Sequence, residues 1–246
     1  GILRQTPDLW VWATVQMPAG SEKLIHLTLP PGDTPQAVTA RYEDENGRRI
    51  GETTGRVKAV SAAAPCLLAV GTAPRSLPGV LGGEETGYTA LTLAPELAPP
   101  SHEGLAMFDA IVLAPPPYEP LSRAQITALS DWVRRGGVLA IDASQRTEFF
   151  RSEGLDALSP YMPNAALQGD LGVFEEPLRY TTGTVNGGDT VWAAGDTPML
   201  VRKNMGLGAV FVYAVDTDGP GFLKLPEATR TWHAVFAFTA GGQPQQ

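Results

Sequence analysis

The sequence predicts an α/β domain of three layers that follows a small all-β sandwich. Up to about residue 60, apolar and polar residues alternate with the period of two that a pleated strand imposes. Beyond residue 65, continuous apolar runs alternate with helical periodicity, as they do in a buried parallel sheet with crossover helices. The segment SAAAP separates the two patterns, so we place the sandwich at residues 1–61 and the α/β domain at residues 62–246.

The N-terminal segment contains short predicted strands with no helical stretch between them. Asn46-Gly47 is a good hairpin signal, because both residues tolerate a positive φ. Short strands at this spacing predict an Ig-like β-sandwich. The predicted strands are LWVWATVQM from Leu9, KLIHLTLP from Lys23, AVTARYED from Ala37 and GRVKAVSA from Gly55.

The α/β domain is predicted from four apolar strands and one helix with clear ends. Ser122 and Gln125 have the spacing of a capping box, and Gly136-Gly137 ends the helix, which we expect over residues 121–135. Strands that alternate with helices indicate a parallel sheet with right-handed crossovers. The strands are CLLAVG from Cys66, YTALTLAP from Tyr88, FDAIVLAP from Phe108 and VLAID from Val138.

The C-terminal part of the domain has a weaker pattern. Residues 147–197 are rich in Gly and Pro, and we expect them to be irregular, with a helix near Glu153–Leu158 and further short strands. PMLVRKNMGLGAVFVYAVD, over residues 198–216, predicts an antiparallel hairpin added to the parallel sheet. LPEATRTWHAVFAFTA, from Leu225, predicts a final amphipathic helix.

Two of these stretches resemble class I glutamine amidotransferase-like domains. They are FDAIVLAP…LSRAQITALSDWVRRGGVLAID and TPMLVRKNMGLGAVFVYAVDTD. In the divergent, bacterial envelope-associated members, a helix ending in Trp-Val-x-x-Gly-Gly precedes a strand, and a Gly-x-Gly hairpin leads into a strand that ends in Asp. The resemblance covers roughly residues 65–240 and implies a flavodoxin-like, three-layer fold.

The catalytic residues that the resemblance would imply are missing. Catalytic members carry a Gly-x-Cys-x-Gly turn after the strand that matches Val138–Asp142, and a His-x-Glu pair downstream. Here Ala143 and Ser144 follow the strand, and Cys66 opens the first strand of the domain, far from that turn. His233 is followed by Ala and Val, so no His-x-Glu pair exists. Because glutaminase chemistry needs an activated thiolate, we expect no glutaminase activity. We assign no catalytic residue and expect no cofactor.

Polar residues at the ends of the predicted strands define a candidate pocket, because parallel sheets bind ligands at the carboxyl ends of their strands. A Ser144–His233 pair is one possible use of Ser144, and an N-cap of a helix beginning near Gln145 is the alternative. We interpret DTDGPG, from Asp216, as a turn and not as a calcium loop, and we predict no metal site. The candidate pocket residues are Tyr118, Glu119, Asp142, Ser144, Arg146 and Asp216.

Composition limits the classes of partner. The net charge is −8, and no cluster of Lys and Arg stands out, which argues against nucleic acid as a partner. No apolar run approaches the roughly 20 residues of a membrane span, so any membrane attachment would come from segments outside this sequence. We therefore expect a protein or small-molecule ligand.

These observations favour a non-catalytic binding or scaffolding module in the extracytoplasmic part of a bacterial cell-envelope protein, at the cell surface or in the periplasm. The alternative is a hydrolase that uses the strand-end carboxylates of Asp142 and Asp216, or Ser144. The two hypotheses differ in whether the strand-end side chains converge in an open cleft.

Overall fold

The computed structural model describes residues 11, 13–18, 20–23, 25–26, 37–56, 65–77, 89–113, 121–145, 154–172 and 176–237. The chain divides into two compact units, Gly1–Ser61 and Ala62–Gln246. Among the described residues, no helix is long and apolar enough to cross a membrane.

The described part of the N-terminal unit contains one antiparallel hairpin. Its strands are β1 (Ala37–Glu43) and β2 (Arg49–Arg56). Asp44 closes the turn, because its carbonyl accepts a hydrogen bond from the Gly47 amide and its carboxylate accepts from the amides of Asn46 and Arg48. Gly47 has a φ of +74°, so only the glycine of the predicted Asn-Gly pair uses the left-handed region.

The rest of the predicted sandwich stays a prediction. Residues 11 and 13–17 fall within the strand predicted from Leu9, and they form no strand. The alternation there is not matched by burial, since Val11 and Met17 are exposed. Of the segments predicted from Lys23 and Gly55, most residues lie outside the described ranges, although Gly55 and Arg56 belong to the end of β2.

The second unit contains nine strands and four α-helices within the described ranges. The strands are β3 (Cys66–Val70), β4 (Thr89–Leu93), β5 (Ala110–Leu113), β6 (Val138–Asp142), β7 (Tyr161–Gly169), β8 (Leu178–Val185), β9 (Asp189–Ala194), β10 (Thr197–Met205) and β11 (Gly208–Tyr213). The helices are α1 (His102–Leu105), α2 (Arg123–Arg134), α3 (Pro220–Leu223) and α4 (Pro226–Phe236), with 3₁₀ turns at Pro95–Leu97 and Leu155–Ala157.

Seven strands form one mixed sheet in the order β4-β3-β5-β6-β11-β10-β9. The first five are parallel to one another, and β10 and β9 add to β11 in antiparallel fashion. In chain order the five parallel strands run 2-1-3-4-5, which is the order of flavodoxin-like doubly wound sheets. The predicted α/β class and the C-terminal hairpin are therefore confirmed.

Helices cover both faces of this sheet. On one face, Trp232 of α4 packs in a buried cluster with Ala140 of β6 and with Phe211 and Tyr213 of β11. Leu139 points to the opposite face, because successive side chains of a strand alternate, and it is also fully buried. The buried stripe of α2 lies outside the α4 cluster, although α2 contacts both β6 and β11, so α2 covers this second face.

Helix α2 begins as the sequence predicts. The Ser122 hydroxyl accepts a hydrogen bond from the Gln125 amide, and the Gln125 side chain accepts one from the Ser122 amide, at 2.7 Å. The Gln125 side-chain amide also donates to the carbonyls of Pro95 and Ala98, both at 2.8 Å. The predicted capping box is thus confirmed, and Gln125 additionally ties α2 to the 3₁₀ turn before α1.

The turn between β10 and β11 is seated on the C-terminal end of α2. The Leu207 amide donates to the Arg134 carbonyl at 2.9 Å. Gly206 has a φ of +63°, and a Cβ added to it would lie 2.4 Å from the same carbonyl oxygen. A Cβ at Gly208 would lie 2.1 Å from the Gly137 carbonyl oxygen. The Gly-x-Gly pattern is therefore explained by close backbone packing between two elements.

Residues 147–197 were predicted to be irregular, with a helix and further short strands. In their described part, the antiparallel pair β7 and β8 forms a separate two-stranded sheet with strands of nine and eight residues, and β9 is a six-residue edge strand of the main sheet. Most residues of this two-stranded sheet are exposed or half-buried. Its sequence therefore lacks the alternation of apolar and polar residues that a strand with one buried face would show. The helix expected near Glu153–Leu158 is a single 3₁₀ turn in its described part.

Candidate functional site

One buried carboxylate lies at the carboxyl end of β6. Asp142 is the last residue of that strand and is 4% exposed. Its Oδ1 accepts hydrogen bonds from the Ser144 amide at 2.9 Å and the Ser144 hydroxyl at 2.6 Å. Its Oδ2 accepts from the Thr217 hydroxyl at 2.9 Å and the Thr217 amide at 3.3 Å. We call Asp142, Ser144 and Thr217 the Asp142 cluster; it joins the segment after β6 to the segment after β11.

Burial controls the electrostatics of this cluster. Removal from water raises the pKa of Asp142 to about 6, against the opposing effect of the hydrogen bonds from Ser144 and Thr217. No ion pair to Asp142 occurs within the described ranges. Within the part of the chain that the structure describes, the charge of Asp142 is stabilised by hydrogen bonds.

A buried tyrosine stands next to the cluster. Tyr213 pairs with Asp142 in the register of β6 and β11, and it is fully buried. Burial raises its pKa, and the Asp142 charge raises it further, so the phenol is neutral. Its hydroxyl has no hydrogen bond of ordinary geometry, although the nearby Thr231 side chain lowers the pKa of Tyr213 in part.

Ser144 is not placed as an exposed nucleophile. It is 0% exposed, and its hydroxyl proton is directed at Asp142. His233 is exposed on α4. A nucleophilic serine needs a base within hydrogen-bond reach and access to substrate. The helix that Ser144 was predicted to cap lies after Gln145, outside the described ranges.

Asp216 organises the turn after β11. Its carboxylate accepts a hydrogen bond from the Asp218 amide at 3.0 Å, and its carbonyl accepts from the Gly219 amide at 3.1 Å. DTDGPG therefore forms a turn. In the part of the chain that the structure describes, no three His, Cys, Asp or Glu side chains are grouped to hold a metal ion.

A third loop reaches the same edge of the sheet. In the segment after β3, the Arg75 amide donates to the Asp218 carboxylate, and the Ser76 hydroxyl accepts from the Trp232 indole at 2.9 Å. Burial raises the pKa of Asp218, although the hydrogen bond from Arg75 lowers it in part. The loops after β3, β6 and β11 are therefore linked through side-chain carboxylates.

Three of the six predicted pocket residues can be placed. Asp142 and Ser144 belong to one cluster, and Asp216 shapes the loop that supplies Thr217 to it. Tyr118, Glu119 and Arg146 lie outside the described ranges. Four contributors at this edge were not predicted from the sequence: Thr217, Arg75, Asp218 and Ser76. Only the clustering of Asp and Thr in DTDG points to two of them, Thr217 and Asp218.

A groove of the second unit lies elsewhere, between α2 and the 3₁₀ turn Leu155–Ala157. It measures about 390 Å³ and is lined by charges of both signs, including Arg123, Arg134, Asp131 and Asp156. None of its lining residues belongs to the Asp142 cluster. The cluster is thus a closed polar centre and not the floor of that groove.

No protein-family model and no curated protein matches the sequence. Similar solved structures include a cytoplasmic protein of Salmonella typhimurium LT2, at 15% identity over 81% of this chain and 95% of that one, with a TM-score of 0.49. A ThuA-like protein from Parabacteroides merdae is 10% identical over 74% of this chain and 92% of that one, with a TM-score of 0.44.

A third similar structure is an exo-β-1,4-mannosidase from Opitutaceae bacterium strain TAV5. It is 15% identical over 73% of this chain, with a TM-score of 0.45. The chain spans 36% of the length of that enzyme. At these identities and TM-scores, the three likenesses identify neither a family nor an activity.

Proposed function

We propose that the chain is a non-catalytic binding or scaffolding module of a bacterial cell-envelope protein, built on a class I glutamine amidotransferase-like domain without its nucleophilic cysteine. The observation that carries the proposal is the Asp142 cluster. It stands directly after β6, where the resemblance would place the exposed catalytic cysteine.

The geometry of the cluster supports a structural role for its members. Both oxygens of Asp142 are occupied, each by two donors, and the Ser144 hydroxyl is used inside the cluster. A catalytic carboxylate or hydroxyl must contact substrate, so chemistry at this position would first require the cluster to open.

One observation favours the alternative, a hydrolase that uses Asp142, Asp216 or Ser144. The pKa of Asp142, raised to about 6, falls in the range in which a carboxyl group can exchange protons near neutral pH. Asp216, however, accepts from the amide of its own turn and is directed into that turn.

The envelope location and the class of ligand rest on the family resemblance and on composition. The net charge of −8 disfavours nucleic acid, and a protein or small-molecule ligand at the carboxyl edge of the sheet fits the position of ligands in other parallel sheets.

An activity comparison tests the non-catalytic part. The purified chain is assayed for glutamine hydrolysis and for cleavage of chromogenic esters and glycosides, beside Ser144→Ala, Asp142→Asn and the control Ser130→Ala on α2. We expect no turnover that differs between the wild type and these variants. Turnover that persists in Ser130→Ala but disappears in Ser144→Ala and Asp142→Asn would establish the hydrolase instead.

Fractionation of cells that express the native gene product tests the location. We expect the protein in the envelope or periplasmic fraction, judged against a cytoplasmic marker enzyme. Recovery with the cytoplasmic marker would overturn the envelope assignment.

A further inference from the structure

Within the described part of the chain, strand β7 is paired along one edge and unpaired along the other. Its partner β8 also pairs, on its far side, with the segment that follows β11. There the Thr181 amide donates to the Ala214 carbonyl, and the Arg179 carbonyl accepts from the Asp216 amide. The backbone groups of Thr181 and Arg179 are therefore directed away from β7.

This arrangement determines where the backbone groups of β7 point. Ala166 is in register with Thr181, and Gln168 is in register with Arg179. In an antiparallel ladder, two residues in register either exchange both backbone hydrogen bonds or direct their N–H and C=O groups away from each other. The N–H and C=O groups of Ala166 and Gln168 therefore point out of the unpaired edge. Residues 164–168 are all exposed, so the edge is open along this stretch.

We propose that this edge of β7 pairs with the same edge of a second copy of the chain, in antiparallel fashion about a two-fold axis at Leu167. In that register, Ala166 of each copy lies opposite Gln168 of the other. Each of these two pairs can exchange two backbone hydrogen bonds, because all the groups involved already point outwards. Since both copies use the same edge, the assembly closes as a dimer.

The apolar side chain on the axis favours a second copy as the occupant. Leu167 is 43% exposed, and it is in register with Tyr180, which packs against the buried core of the second unit. In the dimer, the two Leu167 side chains oppose each other at a position without backbone hydrogen bonds, where side chains of neighbouring strands are closest. Pairing would therefore remove Leu167 from water and extend the apolar surface around Tyr180 across the axis.

The distribution of charge suits pairing between identical strands. No residue of Tyr161–Gly169 is charged, so no like charges oppose each other along the paired strands. Asp170 is the first charged residue beyond β7, and it falls in register with Asn164 of the second copy. The side-chain amide of Asn164 is a hydrogen-bond donor and so complements the carboxylate of Asp170.

Strand β9, at one edge of the seven-stranded sheet, lacks these properties. Charges and bulges commonly protect edge strands from association. Strand β9 begins with Asp189, and its pairing with β10 is irregular at two points. In β7 the irregularity lies between Pro163 and Ala165, before the residues of the proposed pairing. The regular, uncharged stretch of β7 is therefore better suited to the addition of another strand.

The test is light scattering of the purified chain after size-exclusion chromatography, at loading concentrations of about 1–100 µM. We expect a dimer that dissociates on dilution. Leu167→Lys replaces the apolar contact on the axis with two like charges, so the dissociation constant should rise about tenfold or more. The control is Val191→Lys, which makes the same change at an exposed side chain of β9 and should keep the wild-type constant.

Disulfide crosslinking tests the register, and it decides the matter should Leu167→Lys not fold. Leu167→Cys places two thiols opposite each other on the axis, so mild oxidation should give a covalent dimer. Ala165→Cys lies on the same face but opposite Gly169 of the second copy, and it should crosslink at least about tenfold more slowly. The native Cys66 is buried and 3% exposed, so it does not compete.

A chain that stays monomeric at about 100 µM would overturn the proposal. So would a dimer whose dissociation constant is unchanged in Leu167→Lys, and loss of the dimer in Val191→Lys instead would assign the interface to β9. Equal crosslinking of Leu167→Cys and Ala165→Cys would exclude the register about Leu167.

Discussion

Thr217 donates both its amide and its hydroxyl to one oxygen of Asp142, at 3.3 and 2.9 Å. The two residues come from segments 75 residues apart in the chain. Strands β6 and β11 are therefore joined by a side chain beyond the point where their parallel pairing ends at Tyr213 and Asp142.

Removal of the Thr217 hydroxyl should destabilise the fold. Thr217→Val keeps the shape of the side chain but leaves Oδ2 of Asp142 with only the longer amide bond. We expect the free energy of unfolding to fall by about 1–3 kcal/mol, the usual cost of leaving a buried polar group short of a partner. Urea denaturation measures it. The control is Thr127→Val, which removes an exposed hydroxyl on α2 and should change stability by less than about 0.5 kcal/mol. Equal losses in both variants would contradict the prediction.

Stability should depend on pH through Asp142. The folded-state pKa of about 6 lies above the ordinary value of 3.8, so the stabilising contribution is fully present below the ordinary value. It is lost as pH rises through about 6. Relative to Asp142→Asn, the wild type should lose roughly 2–3 kcal/mol of unfolding free energy between pH 4 and pH 7.5. Urea denaturation measures the free energy of unfolding of both proteins at each pH. If it changes equally with pH in the wild type and in Asp142→Asn, the Asp142 carboxyl does not titrate in this way.

Substitution of two glycines should distinguish the cost of a strained backbone from the cost of a steric clash. Gly206 and Gly195 have φ values of +63° and +57°, but an added Cβ meets the Arg134 backbone at Gly206 and nothing within 4 Å at Gly195. Gly195→Ala should cost about 1–2 kcal/mol from the left-handed conformation alone. Gly206→Ala should cost a further ~1–3 kcal/mol, because the turn must move off α2. Thermal and urea unfolding measure both, and similar losses would argue against tight seating of the turn.

Gln125 should not tolerate a carboxylate. Its side-chain amide donates to the carbonyls of Pro95 and Ala98, and it is 7% exposed. Gln125→Glu replaces these donors with oxygen and buries a charge, so we expect a loss of roughly 3 kcal/mol or more at pH 7. The loss should be smaller at pH 4, where the new carboxyl can protonate. The exposed Gln168→Glu serves as the control; an equal effect of both substitutions would show that net charge, and not burial, is responsible.

The central strands could be predicted because burial on both faces leaves a continuous apolar run. The runs from Cys66 and Val138 coincide with β3 and β6, in which every residue is buried. Helix α2 could also be predicted from the sequence. The residues that cap its N-terminus and end it at its C-terminus are close to the helix in the sequence. By contrast, β7 and β8 are held together by backbone pairing between largely exposed residues. Such pairing does not require apolar residues, so the sequence gives little signal for these strands.

The candidate site was predictable only in part, for a related reason. That Asp142 ends β6 and that Asp216 follows β11 can be inferred from the apolar runs before them. The strand order brings together segments that are far apart in the chain. The hydrogen bonds from Thr217 to Asp142 and from the Arg75 amide to Asp218 depend on this order, and so they could not be predicted from the sequence. The sandwich, the amidotransferase-like family and the envelope location stay predictions.

The order of the strands also has a consequence for biosynthesis. Strand β6 lies in the middle of the finished sheet, but its neighbour β11 is translated only after β7, β8, β9 and β10. Until then, the fully apolar residues Val138–Ile141 form an unpaired edge, and exposed apolar edges recruit other chains. We therefore expect the nascent chain to be more prone to aggregate before β11 is synthesised than after β11 has paired with β6.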